Sequence, residues 1–132
     1  MINKFTIARV GQHIPTPWGM SDFVENIGGG ILAVTTPSHG GYYVPREHYD
    51  RMPAQLQGSN SYGGGLWFEE DCEWAIVAFA FPELFNMAQL KAAVQTMNHY
   101  NKPGGIYYSV WQWLNETEPG QGLKQLALKS AA

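Results

Sequence analysis

Residues 67–81 read WFEEDCEWAIVAFAF and carry the pattern that decides the fold. Apolar side chains recur at intervals of three and four from Trp74 to Phe85, which places them on one face of a helix. The acidic residues 69–71 precede this stripe, where negative charge stabilises a helix N-terminus. The pattern predicts a helix that begins near residue 74, and Pro82 must kink it or start another. A short apolar run also fits a buried strand, so both structures stay open.

Upstream of this stretch the chain alternates between polar and apolar side chains, which is typical of β-strands. The alternation predicts strands at residues 4–10, 22–27, 31–36 and 42–44. Glycines 28–30 provide one turn because glycine tolerates positive φ, and residues 37–41 provide the next. The N-terminal half is therefore expected to form a small antiparallel sheet of about three strands.

Helical patterns dominate the rest of the chain. They predict helices over residues 46–52, from about 90 to 97 and over about 106–115, and only weak helicity in the tail KQLALKSAA, residues 124–132. The expected fold class is α+β, with the small antiparallel sheet packed against the C-terminal helices. The length fits a single domain of residues 1–132.

The composition indicates which partners are unlikely and which cellular compartment to expect. Charged residues make up 14% of the chain, the net charge is −3, and no basic patch is present, so nucleic acid is an unlikely partner. Aromatic residues also make up 14%, which fits either a binding surface or a core filled with large rings. The single cysteine, the lack of a signal peptide and the short apolar runs predict a cytoplasmic protein without a membrane span.

A histidine lies in the most unusual turn of the sequence, Thr35 to Gly41, which reads TTPSHGG. The two glycines after His39 allow a substrate or a backbone to approach closely. Histidine side chains can act as acids or bases, and His39 is a candidate for either role. The alternative is a histidine that only stabilises the turn by hydrogen bonding.

Four acids surround Cys72 in the block from Trp67 to Trp74. Such carboxylates can do acid–base work, hold a hard cation or recognise a basic surface. They also oppose a thiolate at Cys72, so an activated nucleophile is disfavoured. A structural alternative is an acidic helix start with a small buried cysteine. No C-x-x-C or H-x-x-x-H spacing is present, so no metal and no cofactor are expected.

Three blocks together resemble a known family. They are Thr16 to Gly19 with Asp22, then Gly30 to Gly41 with its TPSHGG motif, and finally Trp67 to Ala75 with Ala80 to Pro82. In this order they are similar to a domain of unknown function found in phage, plasmid and mobile-element proteins, over roughly residues 15–100. The resemblance implies no activity. It implies a context of genes that counter host defence or assist host takeover.

Three hypotheses follow for the function. The first is a non-enzymatic interaction protein that inhibits a host defence or regulatory protein, with contact residues Trp18, His39, Trp67, Glu69, Glu70 and Asp71. In this hypothesis Trp18 is a binding anchor, although it could equally be a lid on the core. The second is a small hydrolase or transferase that uses His39 with Cys72 or Glu70. The third is a binder of a small ligand or signalling nucleotide. Homo-oligomers are compatible with each hypothesis.

Overall fold

A four-stranded antiparallel sheet forms the N-terminal part of the protein. The computed structural model describes residues 13–60 and 62–129. The sheet has the order β3-β4-β5-β6, and a separate two-stranded hairpin, β1-β2, precedes it. The strand bounds are β1 Pro15–Thr16, β2 Gly19–Met20, β3 Phe23–Gly28, β4 Ile31–Thr35, β5 Gly40–Tyr43 and β6 Trp67–Glu69.

The turn between β3 and β4 depends on glycine. Gly28, Gly29 and Gly30 all have positive φ, which side chains with a Cβ rarely adopt. The side-chain oxygen of Asn26 accepts hydrogen bonds from Gly28 N and Gly30 N at 3.0 and 3.2 Å. This local hydrogen bonding fixes the turn and the pairing of the two strands.

Helices cover the inner face of the sheet. Their bounds are α1 Arg46–Tyr49, α2 Trp74–Ala80, α3 Met87–Met97, α4 Tyr108–Glu116 and α5 Glu118–Lys129, with short 3-10 helices at Ala54–Leu56, Gly63–Gly65 and Pro82–Leu84. α2 lies at the centre, since residues 75–79 are all buried. A helix that is apolar on all sides belongs inside a protein, and α2 packs against both α3 and the sheet.

The structure confirms the α+β class and most of the predicted elements. The stretch from residue 74 is a helix, and Pro82 starts a new 3-10 turn. The predicted strand at residues 4–10 lies outside the described residues. β6 was not predicted from the sequence, because three residues are too few to show alternation. The β1-β2 hairpin was not predicted either, because its strands have two residues each.

The described part of the tail, residues 124–129, is more regular than the sequence suggested. Residues 118–129 form a helix in which Leu123 and Ala127 are buried. Its start lies directly against α4, since a Cβ at Gly120 would collide with the backbone of Trp113 and Leu114. Tertiary packing thus outweighs the weak helix propensity of this segment.

No helix within residues 13–60 and 62–129 is long and apolar enough to cross a membrane.

Two glycines of α5 provide a matched test of this packing. We expect Gly120→Ala to lower the free energy of unfolding by about 1–3 kcal/mol, because the methyl group has no room against α4. At Gly122 an added Cβ meets nothing within 4 Å. Gly122→Ala should therefore raise the free energy of unfolding by about 0.5–1 kcal/mol. Urea unfolding measures both changes, and equal effects of the two variants would contradict the close approach of α4 and α5.

Candidate functional site

The TPSHGG motif forms a closed turn that exposes its histidine. Thr36 N donates to His39 O at 2.7 Å. The Thr36 hydroxyl donates to the same carbonyl at 2.8 Å and accepts from His39 N at 3.1 Å. Thr36 is buried, whereas Pro37, Ser38 and His39 are exposed. These three hydrogen bonds hold the turn, and none of them uses the His39 ring.

The two glycines after His39 let other parts of the chain approach the turn. A Cβ at Gly40 would lie 2.9 Å from Glu70 Oε1, and a Cβ at Gly41 would lie 2.5 Å from Trp18 Cη2. Glu70 and Trp18 therefore occupy the space that side chains at these positions would fill. The close approach expected from the two glycines is made by residues of the same protein.

Trp18 belongs to an aromatic cluster, which consists of Trp18, Tyr43, Tyr62 and Trp67. The ring centroid of Trp18 lies 5.5 Å from that of Tyr62 and 5.8 Å from that of Trp67, both in edge-to-face contact. Three of its rings, Trp18, Tyr43 and Trp67, lie on the sheet face opposite the helices and pack against the buried residues Val24, Leu32 and Val34. Trp18 is half-buried, and its buried Nε1 has no acceptor among the described residues.

Exposed acids border the same turn. The carboxylate of Asp22 accepts from the Thr35 hydroxyl at 2.6 Å, just before the turn begins. Glu70 is exposed on the other side, beside Gly40. We call Trp18, Asp22, His39, Tyr62 and Glu70 the histidine-turn surface. It combines two partly exposed aromatic rings with two carboxylates and contains no lysine or arginine.

Glu69, in contrast, is buried and holds the junction between β6 and α2. Its Oε1 accepts from Cys72 N at 2.8 Å and Glu73 N at 2.9 Å, and its Oε2 accepts from Asp71 N at 2.8 Å. Burial raises the pKa of Glu69, but these N–H donors and the Cys72 thiol outweigh it and hold the pKa below its usual range. Because its oxygens face the protein interior, we leave Glu69 out of the proposed contact residues.

The Cys72 thiol is part of the same junction. It donates to Glu69 Oε1 at 3.3 Å, and burial raises the pKa of the thiol. This environment opposes the thiolate form, as the sequence analysis expected. Cys72 and Asp71 line an open cavity of about 380 Å³ together with His99 and Tyr100, and His39 does not line it.

A buried pair that the sequence analysis missed lies next to this junction. The Tyr107 hydroxyl donates to Glu73 Oε2 at 3.0 Å. Tyr107 is the one non-glycine residue with positive φ among the described residues, at 65°, and such backbone positions often mark functional sites. Burial raises the pKa of Glu73. No sequence signal couples residues 73 and 107, because only the fold brings them together.

The described residues contain no group of three or more histidine, cysteine, aspartate or glutamate side chains that could hold a metal ion.

These features define a class: a small α+β domain whose antiparallel sheet carries an aromatic cluster on the face opposite the helices and a histidine turn bordered by exposed acids. The family model named Domain of unknown function (DUF7007) matches residues 11–117. The chain belongs to this family, which confirms the resemblance to a domain of unknown function. No curated protein and no solved structure matches the chain.

Adjacent glutamates allow a direct test of the junction. Glu69→Gln replaces one acceptor oxygen with an N–H₂ group that faces backbone donors, and should cost about 1.5–3 kcal/mol of stability at pH 7. Glu70→Gln, on the exposed neighbour, should change stability by less than about 0.5 kcal/mol. Urea unfolding of both variants at several pH values measures the difference.

The pH dependence has a defined sign. The folded-state pKa of Glu69 lies below its unfolded value of about 4.3. Its stabilisation is therefore present above pH 4.3 and is lost as the pH falls through the folded pKa. The stability gap between the wild-type protein and Glu69→Gln should shrink in that range. A gap that stays constant down to pH 2 would contradict this role of the carboxylate.

Proposed function

We propose that this protein is a non-enzymatic interaction protein that binds a partner protein through the histidine-turn surface. One observation carries the proposal: Trp18 and the block that begins at Trp67 both approach the first residues of β5, directly after His39. Trp18 packs over Gly41 and against Trp67, and Glu70 lies against Gly40. Segments distant in sequence thus contribute to one surface.

The chemistry of this surface favours a partner with a basic patch. Asp22 and Glu70 are exposed on either side of His39, and Asp71, also exposed, follows Glu70 in the chain. These acids attract lysine and arginine side chains and orient the encounter. Tyr62, 39% exposed, and the half-buried Trp18 offer rigid rings of the kind that dominate interface energetics.

We further propose that the partner is a host defence or regulatory protein, which a mobile element inhibits in the cytoplasm. The resemblance to a domain found in phage, plasmid and mobile-element proteins supports this, as does the small size of the chain. Inhibition by occlusion needs only a complementary surface and no catalytic group.

A second candidate is a small hydrolase or transferase that uses His39 with Glu70. The proximity of Glu70 Oε1 to the backbone beside His39 favours it. In that case His39→Ala and Glu70→Gln should each abolish turnover of ester or phosphoester probes by the folded protein. No turnover by the wild-type protein would count against this candidate.

Charge reversal tests the interaction proposal. The immobilised wild-type protein should retain a specific protein from a lysate of cells in which the gene occurs, and the purified partner should then bind it in a salt-dependent manner. Glu70→Lys with Asp71→Lys should weaken binding at least tenfold, because two attractive charges become repulsive. Calorimetric titration of the purified pair measures the change.

The matched control reverses two exposed acids elsewhere, Glu83→Lys with Glu116→Lys. This variant has the same net charge as the first and should bind like the wild-type protein. Equal losses in both double variants would mean that net charge, and not the histidine-turn surface, governs binding. If the variant with Glu70→Lys and Asp71→Lys binds the partner as tightly as the wild-type protein, these two acids lie outside the interface.

A further inference from the structure

A groove lies apart from the histidine-turn surface, between the loop of residues 58–60 and the segment of residues 104–109. It has a volume of about 550 Å³, and Glu73 and Gln112 also line it. None of the five residues of the histidine-turn surface lines this groove. Its size suits a small organic molecule or a single side chain.

Asn60, which has an unpartnered buried acceptor, is one of the residues that line the groove. Asn60 is 7% exposed, and its Nδ2 donates to Gly65 O at 2.8 Å and Trp67 O at 2.7 Å. These two bonds fix the amide, because a flip would lose both. Its Oδ1 is buried without a hydrogen-bond donor among the described residues. A buried acceptor without a donor costs free energy of folding, and native structures contain few such groups.

A buried carboxylate without a counter-charge lines the same groove. Glu73 is 5% exposed and accepts from Tyr107 OH at 3.0 Å and from Glu69 N at 3.2 Å. A carboxylate accepts up to about four hydrogen bonds, so Glu73 retains capacity for more donors. Buried charges in proteins are normally paired. Among the described residues, no lysine or arginine lines the groove, so none of them supplies a cation there.

The remaining walls admit an alkyl chain. An added Cβ at Gly58 or Gly104 meets nothing within 4 Å, so both glycines leave the entrance open. Ile106 is 63% exposed at the rim, and the half-buried ring of Tyr108 lies beside it in the chain. A cation near an aromatic ring gains further attraction. Phosphates and carboxylates are disfavoured, because Glu73 would repel them.

We propose that this groove binds an alkylammonium group, whose N–H groups donate to the Glu73 carboxylate and to Asn60 Oδ1. Such a ligand supplies both the missing counter-charge and the missing donor. The ammonium group can come from a free small amine or from a lysine side chain of a peptide. The two proposals rest on different side chains, since no residue of the histidine-turn surface lines the groove.

Calorimetric titration of the full chain at pH 7 and low salt tests the proposal. The probes are propylammonium, 1,4-diaminobutane and a lysine-containing tripeptide with blocked ends, and the neutral control is propanol. We expect saturable binding of an amine and at least tenfold weaker binding of propanol. Tighter binding of the tripeptide than of the free amines identifies a peptide lysine as the source, and the reverse order identifies a small amine. No saturable binding of any amine, or equal binding of propanol, overturns the proposal.

Two variants locate the site. Glu73→Gln should weaken amine binding at least tenfold, whereas Glu83→Gln, which removes an exposed charge elsewhere, should leave it unchanged. Ser109→Leu fills the groove from the rim, where Ser109 Oγ lies 3.4 Å from Ser59 Oγ, and leaves the Glu73–Tyr107 pair in place. It should abolish binding even if Glu73→Gln fails to fold.

Unchanged affinity in Ser109→Leu, or saturable Mg²⁺ or Ca²⁺ binding at Glu73 without amine binding, overturns the proposal. Binding of a partner protein by folded Glu73→Gln should persist, so the two proposals fail separately.

Discussion

The Glu69 carboxylate is the interaction on which the rest of the structure depends. It accepts hydrogen bonds from the backbone N–H groups of residues 71, 72 and 73 and so satisfies the donors of the turn that leads into α2. In return, Glu73 Oε1 accepts from Glu69 N at 3.2 Å. This reciprocal pairing resembles a capping box. It turns the chain directly from the last strand of the sheet into the central buried helix.

The junction also separates two surfaces of different chemistry. Glu70, directly after β6, points to Gly40 and the histidine turn, whereas Glu73 turns inward to Tyr107. Neighbouring acids in one short run therefore have three roles: an exposed side chain beside the histidine turn, an acceptor for backbone N–H groups and a buried partner of Tyr107. The direction in which each side chain points, rather than the residue type, decides its role.

The sequence predicted the fold better than the site. Periodicity identified α2, α3 and α4 because each carries apolar residues at helical spacing. β6 was not predicted because it has only three residues. The helicity of α5 was predicted to be weak, because its packing depends on the close approach of α4 at Gly120. The sequence also singled out Trp18, His39 and Glu70, which the fold brings close. It could not find Asn60, Glu73 and Tyr107, because their association arises from contacts between distant segments.

The left-handed backbone at Tyr107 affects how the protein responds when a molecule occupies the groove. A non-glycine residue at φ 65° costs free energy, and the phenol–carboxylate hydrogen bond helps to offset it. The backbone that leads into α4 is thus linked, through the Tyr107 hydrogen bond, to Glu73 in the lining of the groove. A molecule that orders Glu73 also orders this helix entry, so amide protons of the first turn of α4 would exchange more slowly with solvent.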